Sequence, residues 1–474
     1  MARAILVAAI GTVAACAPAN ADPKHLDSVV IDGVTHVKQE PDFCGEACVE
    51  MWARHLGMHY DQDDVFDETG LDPALGRGAY TPDLVRAVKR LGFAPPNIYT
   101  LVDPAHAQPA LDRELGKLHA DLERGVASIV CMHYNDQPHT TEHFRLVVGF
   151  DADKDEVIYQ EPAEDHGGYR RMSRALFEKL WQLPSTDPRK RVLVRIPLVV
   201  DKLAQPARPA GFTPAAYVQH VMALRDRLGD TLGKLSVRVE EPFVVIGDAG
   251  DAALARDART VRWAADHLER DFFGHRPAKI LDIYLFHDAA SYERGVKALT
   301  GEAPDTPYGF YSRTHGGLFM NIATGGGTLV HEIVHPYVEA DFPGAPAWLN
   351  EGLGSLFEQS AEKAGHIVGL PNWRLAGLQQ ALARGDVPSF RALAQLSDDA
   401  FYADDSGVHY AEARYLLFYL QEQGKLRDFY RAFRASRAKD PSGYATLVST
   451  LGERDMDAFR ARWEQFVGKL RFRG

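Results

Sequence analysis

The sequence predicts an α+β protein with two domains, an N-terminal α/β domain followed by a mainly helical domain with a small mixed sheet. Three observations support this prediction. The chain has 474 residues, which is more than one hydrophobic core normally organises. Helix-like and strand-like segments alternate between residues 27 and 200, and helical periodicity dominates from Thr328 onward.

The composition is that of a folded acidic protein. Apolar residues make up 46% of the chain and aromatic residues 10%, which argues against intrinsic disorder. The formal net charge is −12, whereas a nucleic-acid-binding surface needs clustered lysine and arginine. We therefore expect no nucleic-acid partner, and the composition predicts no particular oligomeric state.

Residues 1–22 are expected to be an export signal, because one arginine precedes an apolar stretch and then small residues. Two cleavage interpretations compete. Val13–Cys16 resembles a bacterial lipobox, in which Cys16 would carry a lipid anchor, and Ala19–Ala21 resembles an ordinary signal-peptidase site. We favour the lipobox. Both interpretations predict an exported bacterial protein, either periplasmic or anchored to the outer membrane.

The predicted N-terminal domain covers residues 27–200. Helical patterns occupy residues 44–56 and 81–91. Apolar stretches predict four strands, at residues 126–133, 144–150, 156–159 and 192–200. A linker and a helix are expected at residues 201–235, since residues 203–214 are rich in proline and alanine. The second domain then covers residues 236–474.

A cysteine stands at the start of the first predicted helix, in VKQEPDFCGEACVEMW. The helix dipole is expected to give Cys44 thiolate character, and the Gln39 amide can help to bind an oxyanion. His143 is the preferred base over His133 and His139, because the strand after it and a returning strand lead back to Glu161-Pro162.

This arrangement resembles the papain-like family that includes the double-glycine leader peptidases of bacteriocin exporters. The family order is Gln, Cys-Gly, His before a Val-rich strand, and then Asp-Pro. The resemblance covers about residues 30–190 and implies that Gln39, Cys44 and His143 act in a cysteine peptidase. The aspartate of the family is replaced here by Glu161, whose side chain is one methylene longer.

Two further cysteines follow the predicted signal and Cys44. Cys48 lies one helical turn beyond Cys44, and Cys131 lies in an apolar strand. Both are interpreted as small core residues. A disulfide between them would also suit an exported protein, and the sequence does not decide between these alternatives.

The segment GGTLVHEIVHPY contains an HExxH motif. His331 and His335 are four residues apart, so on a helix they share one face and can reach a single metal ion. Glu332 is rotated about 100° away from His331, where it can act on a water molecule without binding the metal. A catalytic zinc ion needs a third protein ligand, and Glu351 in the following WLNEGL segment is the candidate.

This combination resembles the gluzincin metallopeptidases, in which HExxH is followed by a glutamate in an NEG-type segment. The resemblance covers about residues 236–474. It implies a Zn²⁺ ion held by His331, His335 and Glu351, with Glu332 as the general base.

The resemblance also assigns two neighbouring features. A strand at residues 316–322 would bind an extended substrate. Either Tyr410 or the adjacent His409 would stabilise the oxyanion, and Tyr410 is the preferred candidate. Pro336 is unfavourable inside the helix that the motif predicts. Its ring clashes with the carbonyl of Glu332 and it has no N–H, so a kink is expected directly after His335.

The leading hypothesis is an exported bacterial peptidase that hydrolyses peptides or proteins with a zinc-activated water and carries a second, papain-like cysteine site. One alternative is a lipoprotein that binds peptides or assists assembly, with one or both sites inactive. Another is a cysteine-dependent amidase or acyl transferase. The substrate sequence and the choice between internal and terminal cleavage are not predicted.

Overall fold

The computed structural model of the chain describes four segments, residues 26–205, 211–229, 234–404 and 406–472. The predicted export signal and Cys16 lie outside these segments. The chain divides into two compact units, one formed mainly by residues 26–205 and the other mainly by residues 216–472. Within the described segments, no helix is long and apolar enough to cross a membrane.

The first unit contains an eight-stranded sheet with antiparallel pairing. Its strands are β1 (Val29–Val30), β2 (Tyr99–Val102), β3 (Ser128–His133), β4 (Glu142–Asp151), β5 (Glu156–Gln160), β6 (Arg170–Ser173), β7 (Leu183–Pro184) and β8 (Arg191–Pro197). The sheet order is β2-β8-β3-β4-β5-β6, with β1 beside β4 and β7 beside β8. The helices are α1 (Cys44–His55), α2 (Gln62–Asp67), α3 (Thr81–Arg90), α4 (Gln108–Glu123) and α5 (Arg174–Trp181).

Both faces of this sheet carry a hydrophobic core. Side chains alternate between the faces along a strand, so Ile129 and Cys131 of β3 pack with the core that includes α1 and α3. Val130 and Met132 pack with the core that includes α4 and α5. Cys48 and Cys131 are buried in the first of these cores, and all three cysteines of the described segments are free thiols.

The second unit contains a five-stranded mixed sheet, a β-hairpin and most of the helices. The strands are β9 (Ser236–Glu240), β10 (Phe243–Gly247), β11 (Leu281–Phe286), β12 (Gly309–Ser312), β13 (Gly317–Asn321), β14 (Ser360–Lys363) and β15 (His366–Gly369). The helices are α6 (Pro214–Leu228), α7 (Asp251–Leu268), α8 (Ala289–Thr300), α9 (Gly326–Asp341), α10 (Ala347–Phe357), α11 (Arg374–Arg384), α12 (Phe390–Gln395), α13 (Asp398–Tyr402), α14 (Val408–Glu422), α15 (Leu426–Ser436), α16 (Tyr444–Leu451) and α17 (Met456–Lys469). The predicted α+β class is confirmed.

The order of the second sheet is β12-β13-β11-β10-β9, with β11 parallel to both β10 and β13. This order corrects one expectation. The segment at residues 316–322 does contain a strand, β13, but β13 lies inside the sheet, because β12 pairs with it in antiparallel orientation. The backbone groups on that side of β13 are therefore used within the sheet, and the edge strand is β12.

Candidate functional site

Helices α9 and α10 bring together the three residues predicted to bind a metal ion. His331 and His335 lie one turn apart on α9, with ring centroids 5.0 Å apart. Nε2 of His331 is 3.2 Å from Oε2 of Glu351, and Nε2 of His335 is 3.9 Å from the same oxygen. One ligand atom from each residue lies within 4.8 Å of the others, and all three residues are buried.

The other ring nitrogen of each histidine lies near an oxygen of a neighbouring side chain. Nδ1 of His335 is 3.0 Å from Oδ1 of Asn350, and Nδ1 of His331 is 3.4 Å from Oε1 of Glu358. An acceptor at Nδ1 holds the proton there and leaves the lone pair on Nε2. His335 thus presents Nε2 in the form that binds a metal ion. His331 lies between two carboxylates that favour its protonated form, so it would release a proton when a metal ion binds.

A neighbouring side chain also orients the carboxylate of Glu351. Its Oε1 accepts a hydrogen bond of 2.8 Å from the hydroxyl of Tyr402, which leaves Oε2 facing the two histidines. Two ligands of a tetrahedral zinc ion, each about 2.0–2.2 Å from the metal, are roughly 3.3 Å apart. The donor types and their separations therefore fit a zinc ion held by three protein ligands.

The local charges favour a cation. Burial alone would lower the pKa of His331, but hydrogen bonds to Glu351 and Glu358 raise it to about 10. Burial opposes ionisation of Glu351, yet the charge of His335 and the hydrogen bond with His331 lower its pKa to about 2. The carboxylates of Glu332, Glu351 and Glu358 thus surround the two imidazoles with negative charge.

Glu332 is buried beside the ligands, and its Oε2 is 3.7 Å from Nε2 of His335. Burial raises the pKa of Glu332, against the effect of the two histidines and of a hydrogen bond from the backbone of Tyr311. A raised pKa suits a general base that must accept and then release a proton.

Pro336 lies inside α9 and does not end this helix, which continues to Asp341.

The predicted metal ligands and Glu332 line a cleft of about 1460 Å³. Tyr410, the predicted oxyanion stabiliser, lies on its wall with the Arg374 guanidinium 5.2 Å from its ring centroid. His409 is not part of the cleft lining, and its Nδ1 is 3.3 Å from the carbonyl of Phe401. Of these two neighbours, only Tyr410 has access to the cleft.

Four further residues of this site were not predicted from the sequence: Asn350, Glu358, Tyr402 and Arg374. Glu358 follows Glu351 by two helical turns, so helical spacing could have indicated it. Asn350 directly precedes Glu351, a separation that does not place two side chains on one helix face. Tyr402 belongs to α13 and Arg374 to α11. Their contacts depend on tertiary packing, for which the sequence contains no local signal.

The second candidate site begins with Cys44, the first residue of α1. Hydrogen bonds from the backbone of Phe144 and Gly45 reach the thiol. Burial nevertheless raises the pKa of Cys44 to about 12, and the charges of Glu46 and Asp42 add to this effect. The expected thiolate character is therefore not found, because desolvation outweighs the helix dipole.

His143 lies on β4 next to Phe144, whose backbone contacts the Cys44 thiol. Nε2 of His143 is 2.5 Å from Oε1 of Glu161, so the longer glutamate reaches the imidazole. This contact leaves Nδ1 as the ring nitrogen that Glu161 does not bind. His133 on β3 and His139 in the following loop make no contact with Glu161 in the described segments.

Arg145 was also not identified from the sequence. It follows His143 by two residues on β4, so both side chains lie on one face of the strand. Its Nε donates to Oε2 of Glu161 at 2.6 Å, and its guanidinium lies 5.5 Å from the ring centroids of Tyr134 and Tyr159. The carboxylate of Glu161 is therefore shared between a histidine and an arginine.

Gln39 lies beside the same turn, since its backbone N–H donates to the carbonyl of Pro162 at 2.9 Å. Its side-chain Oε1 is buried and has no hydrogen-bond partner among the described residues. The unpaired atom is an acceptor, so only the Nε2 group of the same amide could donate to an oxyanion.

The similarity to known proteins lies in the first unit. Residues 31–186 match the model of the Peptidase_C39 like family. The papain-like part of the sequence prediction is thus supported. No curated protein matches the chain.

Two solved structures are similar to part of the chain. The peptidase domain of Streptococcus ComA, a bi-functional ABC transporter involved in a quorum sensing pathway, is 16% identical; the match covers 36% of this chain and 99% of that one, with a TM-score of 0.22. Xylellain, a cysteine protease from Xylella fastidiosa, is 12% identical; the match covers 39% of this chain and 91% of that one, with a TM-score of 0.26.

Proposed function

We propose that this protein is an exported bacterial peptidase that cleaves peptides or proteins at a zinc site in its second unit. The observation that carries the proposal is the position of His331, His335 and Glu351, whose ligand atoms lie within 4.8 Å of one another in the wall of a large cleft. Two imidazoles and one carboxylate are a ligand set of catalytic zinc sites.

A zinc ion bound there would supply Lewis acidity, which lowers the pKa of a water molecule and polarises a peptide carbonyl. Glu332 would take the proton of the attacking water and pass it to the leaving amine. The backbone of Tyr311 contacts Glu332, so the edge strand β12 lies next to the reacting groups. The hydroxyl of Tyr410 would stabilise the developing oxyanion from the cleft wall.

An extended substrate would bind along β12 rather than along β13. The N–H of Asn321 donates to the carbonyl of Tyr308, and β12 and β13 are antiparallel. Alternate residues of an antiparallel strand bond to opposite sides. The backbone groups of Gly309 and Tyr311 therefore face away from β13. The N–H of Tyr311 already reaches Glu332, so a substrate strand could bind to the backbone groups of Gly309 and to the carbonyl of Tyr311.

The first unit, similar to the Peptidase_C39 like family, would add a second hydrolytic site. Cys44 would attack a carbonyl carbon, with Nδ1 of His143 accepting the thiol proton and Glu161 orienting the imidazole. The Gln39 amide would help to bind the oxyanion. The same chemistry would serve a peptidase, an amidase or an acyl transferase, and the family match favours the peptidase.

A second candidate function has one observation in its favour. Because burial raises the pKa of Cys44 to about 12, the free protein holds a neutral thiol, which is a poor nucleophile. This favours a first unit that binds peptides without cleaving them. A lipid anchor on Cys16 would suit either function, since it would keep the protein at the membrane surface.

Digestion of a peptide library by the wild type, Glu332→Gln and Cys44→Ala, with metal analysis, tests the proposal. We expect about one zinc ion per chain, loss of cleavage in Glu332→Gln with zinc retained, and a separate set of products missing in Cys44→Ala. Glu362→Gln, on the exposed hairpin strand β14, is the control. Cleavage that survives Glu332→Gln unchanged would refute the zinc mechanism.

A further inference from the structure

One exposed carboxylate of the zinc cleft has no positively charged partner. Acidic side chains line the described part of the cleft at five positions: Glu332, Glu339, Glu351, Glu358 and Asp398. Two of them are the proposed general base and the third metal ligand. Glu358 accepts hydrogen bonds of 3.0 and 3.1 Å from Arg374, and Glu339 forms a neutral pair with Arg313, whose Nε is 3.0 Å away and whose side chain is 67% exposed. Asp398 is exposed, and within the described segments its side chain accepts only the N–H of Ala347, at 3.1 Å.

Two helices place Asp398 close to the metal-binding residues. Ala347 is the first residue of α10, and Glu351 follows it by four positions, which is about 6 Å along the helix axis. Asp398 and Tyr402 are the first and last residues of α13, so their side chains share one face, and the Tyr402 hydroxyl donates to Glu351 at 2.8 Å. Both relationships place the Asp398 carboxylate about one helical turn from the third metal ligand, a distance that two or three residues of an extended peptide span.

The contact with Ala347 explains why an acceptor is present at this position, but not why it is charged. The N-cap residue of α10, Pro346, provides no side-chain cap, and Oδ1 of Asp398 caps the helix from a distant segment. Asparagine or serine satisfies a helix N-terminus about as well as aspartate does. The negative charge of Asp398 and its second oxygen are therefore left over for another partner.

That partner is expected to be a cation supplied by the ligand of the cleft. Hydrogen bonds between a carboxylate and a positively charged nitrogen are stronger than those between neutral groups. Because the contact with Ala347 already orders the Asp398 side chain, little conformational entropy is lost when a ligand binds. An anionic group at the same place would be repelled, since no cation of the described lining pairs with Asp398.

We propose that Asp398 is a specificity-determining residue of the zinc cleft, which binds a positively charged nitrogen of the substrate within a few residues of the scissile bond. A lysine or arginine side chain and a terminal ammonium group share this chemistry, and the experiment distinguishes them. The proposal rests on the zinc peptidase function and specifies its substrate class.

Binding and cleavage are measured separately. The binding protein is the full chain with Glu332→Gln, loaded with zinc, because it lacks the general base and should hold peptides without cutting them. The peptides share one parent sequence with acetylated and amidated ends, in which Lys, Gln or Glu is moved through successive positions. The Gln peptides are also made with a free N-terminus. Fluorescence anisotropy gives Kd, and mass spectrometry of digests by the wild type gives the cleaved bonds.

The best-placed Lys peptide, or the peptide with the free N-terminus, should bind about tenfold more tightly than the blocked Gln peptide, and the Glu peptide should bind most weakly. A preference among the blocked peptides assigns the lysine side chain, and a preference confined to free ends assigns the terminal ammonium group. Added salt should reduce the preference.

Asp398→Asn, introduced into the binding protein, should abolish this preference while zinc content and melting temperature stay like those of the parent, because the amide oxygen can still cap α10. Asp399→Asn is the matched control. Asp399 is the neighbouring exposed carboxylate but does not line the cleft, so this variant should keep the preference. If Asp398→Asn fails to fold, the preference of the parent protein and its weakening by salt decide the question.

The two levels of the proposal fail in different ways. Equal binding of all peptides by the parent protein, or a preference that survives Asp398→Asn, overturns the role of Asp398 and leaves the zinc peptidase standing. Equal losses in Asp398→Asn and Asp399→Asn also overturn it, since the acidity of the whole surface would then be responsible. Preferential binding without any zinc-dependent cleavage by the wild type overturns the peptidase function and leaves the recognition by Asp398 standing.

Discussion

Arg145 and His143 bind opposite oxygens of one buried carboxylate, since Arg145 Nε is 2.6 Å from Oε2 of Glu161 and His143 Nε2 is 2.5 Å from Oε1. Arg145 also donates to the carbonyls of His133 and Tyr134. The arginine therefore fixes the direction of a glutamate side chain that is longer than the aspartate of the similar family. It also neutralises part of the charge that would otherwise act on the imidazole.

Replacement of Arg145 by methionine should destabilise the first unit by about 3–5 kcal/mol, because the carboxylate of Glu161 would remain buried without its arginine partner. Urea denaturation measures this loss. The matched control is Arg171→Met, which breaks the more exposed pair with Asp151 and should cost about 1 kcal/mol or less. Equal losses in the two variants would contradict the role assigned to the buried pair.

The thiol of Cys44 should react slowly with iodoacetamide at neutral pH. Burial raises its pKa to about 12, so the thiolate fraction, and with it the rate, should rise continuously from pH 7 to pH 10. Mass spectrometry of the native protein locates the modified residue, and Cys44→Ala provides the background. A rate that is already constant between pH 6 and pH 8 would instead indicate a thiolate–imidazolium pair.

Loss of the Tyr402 hydroxyl should weaken zinc binding without removing a ligand. The hydroxyl holds Oε1 of Glu351 at 2.8 Å, and second-sphere hydrogen bonds of this kind typically contribute about 10–100-fold to metal affinity. Competition with a chromogenic chelator should show a weaker affinity of about this size in Tyr402→Phe. Tyr308→Phe, also in the cleft lining, should bind zinc like the wild type, and equal affinities in both variants would contradict the orienting role.

Glu46 should make the first unit less stable as the pH rises. Burial raises its pKa to about 8, against 4.5 for the ordinary group. Between these two values the folded state binds more protons than the unfolded state, so the stabilising contribution is fully present below pH 4.5 and is lost as the pH rises through 8. The free energy of unfolding should fall by up to about 1.4 kcal/mol per pH unit in this window.

Glu46→Gln tests this dependence, because the amide can still accept the N–H of Ala79, which Glu46 Oε1 binds at 2.8 Å. Urea titrations at pH 5, 6, 7 and 8 should show a flatter dependence in this variant than in the wild type. Glu123→Gln, an exposed residue of α4, should keep the wild-type dependence. An unchanged slope in Glu46→Gln would show that another group is responsible.

Local spacing determined the parts of the sites that could be predicted from the sequence. His331 and His335 share a helix face because the α-helical repeat depends only on the backbone. The start of α1 at Cys44 and the strand after His143 also follow from local patterns. Glu351 was identified through its short motif, and α10 holds it beside the two histidines.

Tertiary packing decided the remainder. Tyr402, Arg374 and Arg145 contact the site residues across separate elements, and no local pattern encodes such contacts. Packing also made β12 the edge strand, because the order of strands in a sheet depends on pairing between distant segments. It set the proton affinity of Cys44 as well, since the helix dipole acts locally, whereas desolvation depends on everything that packs around the thiol.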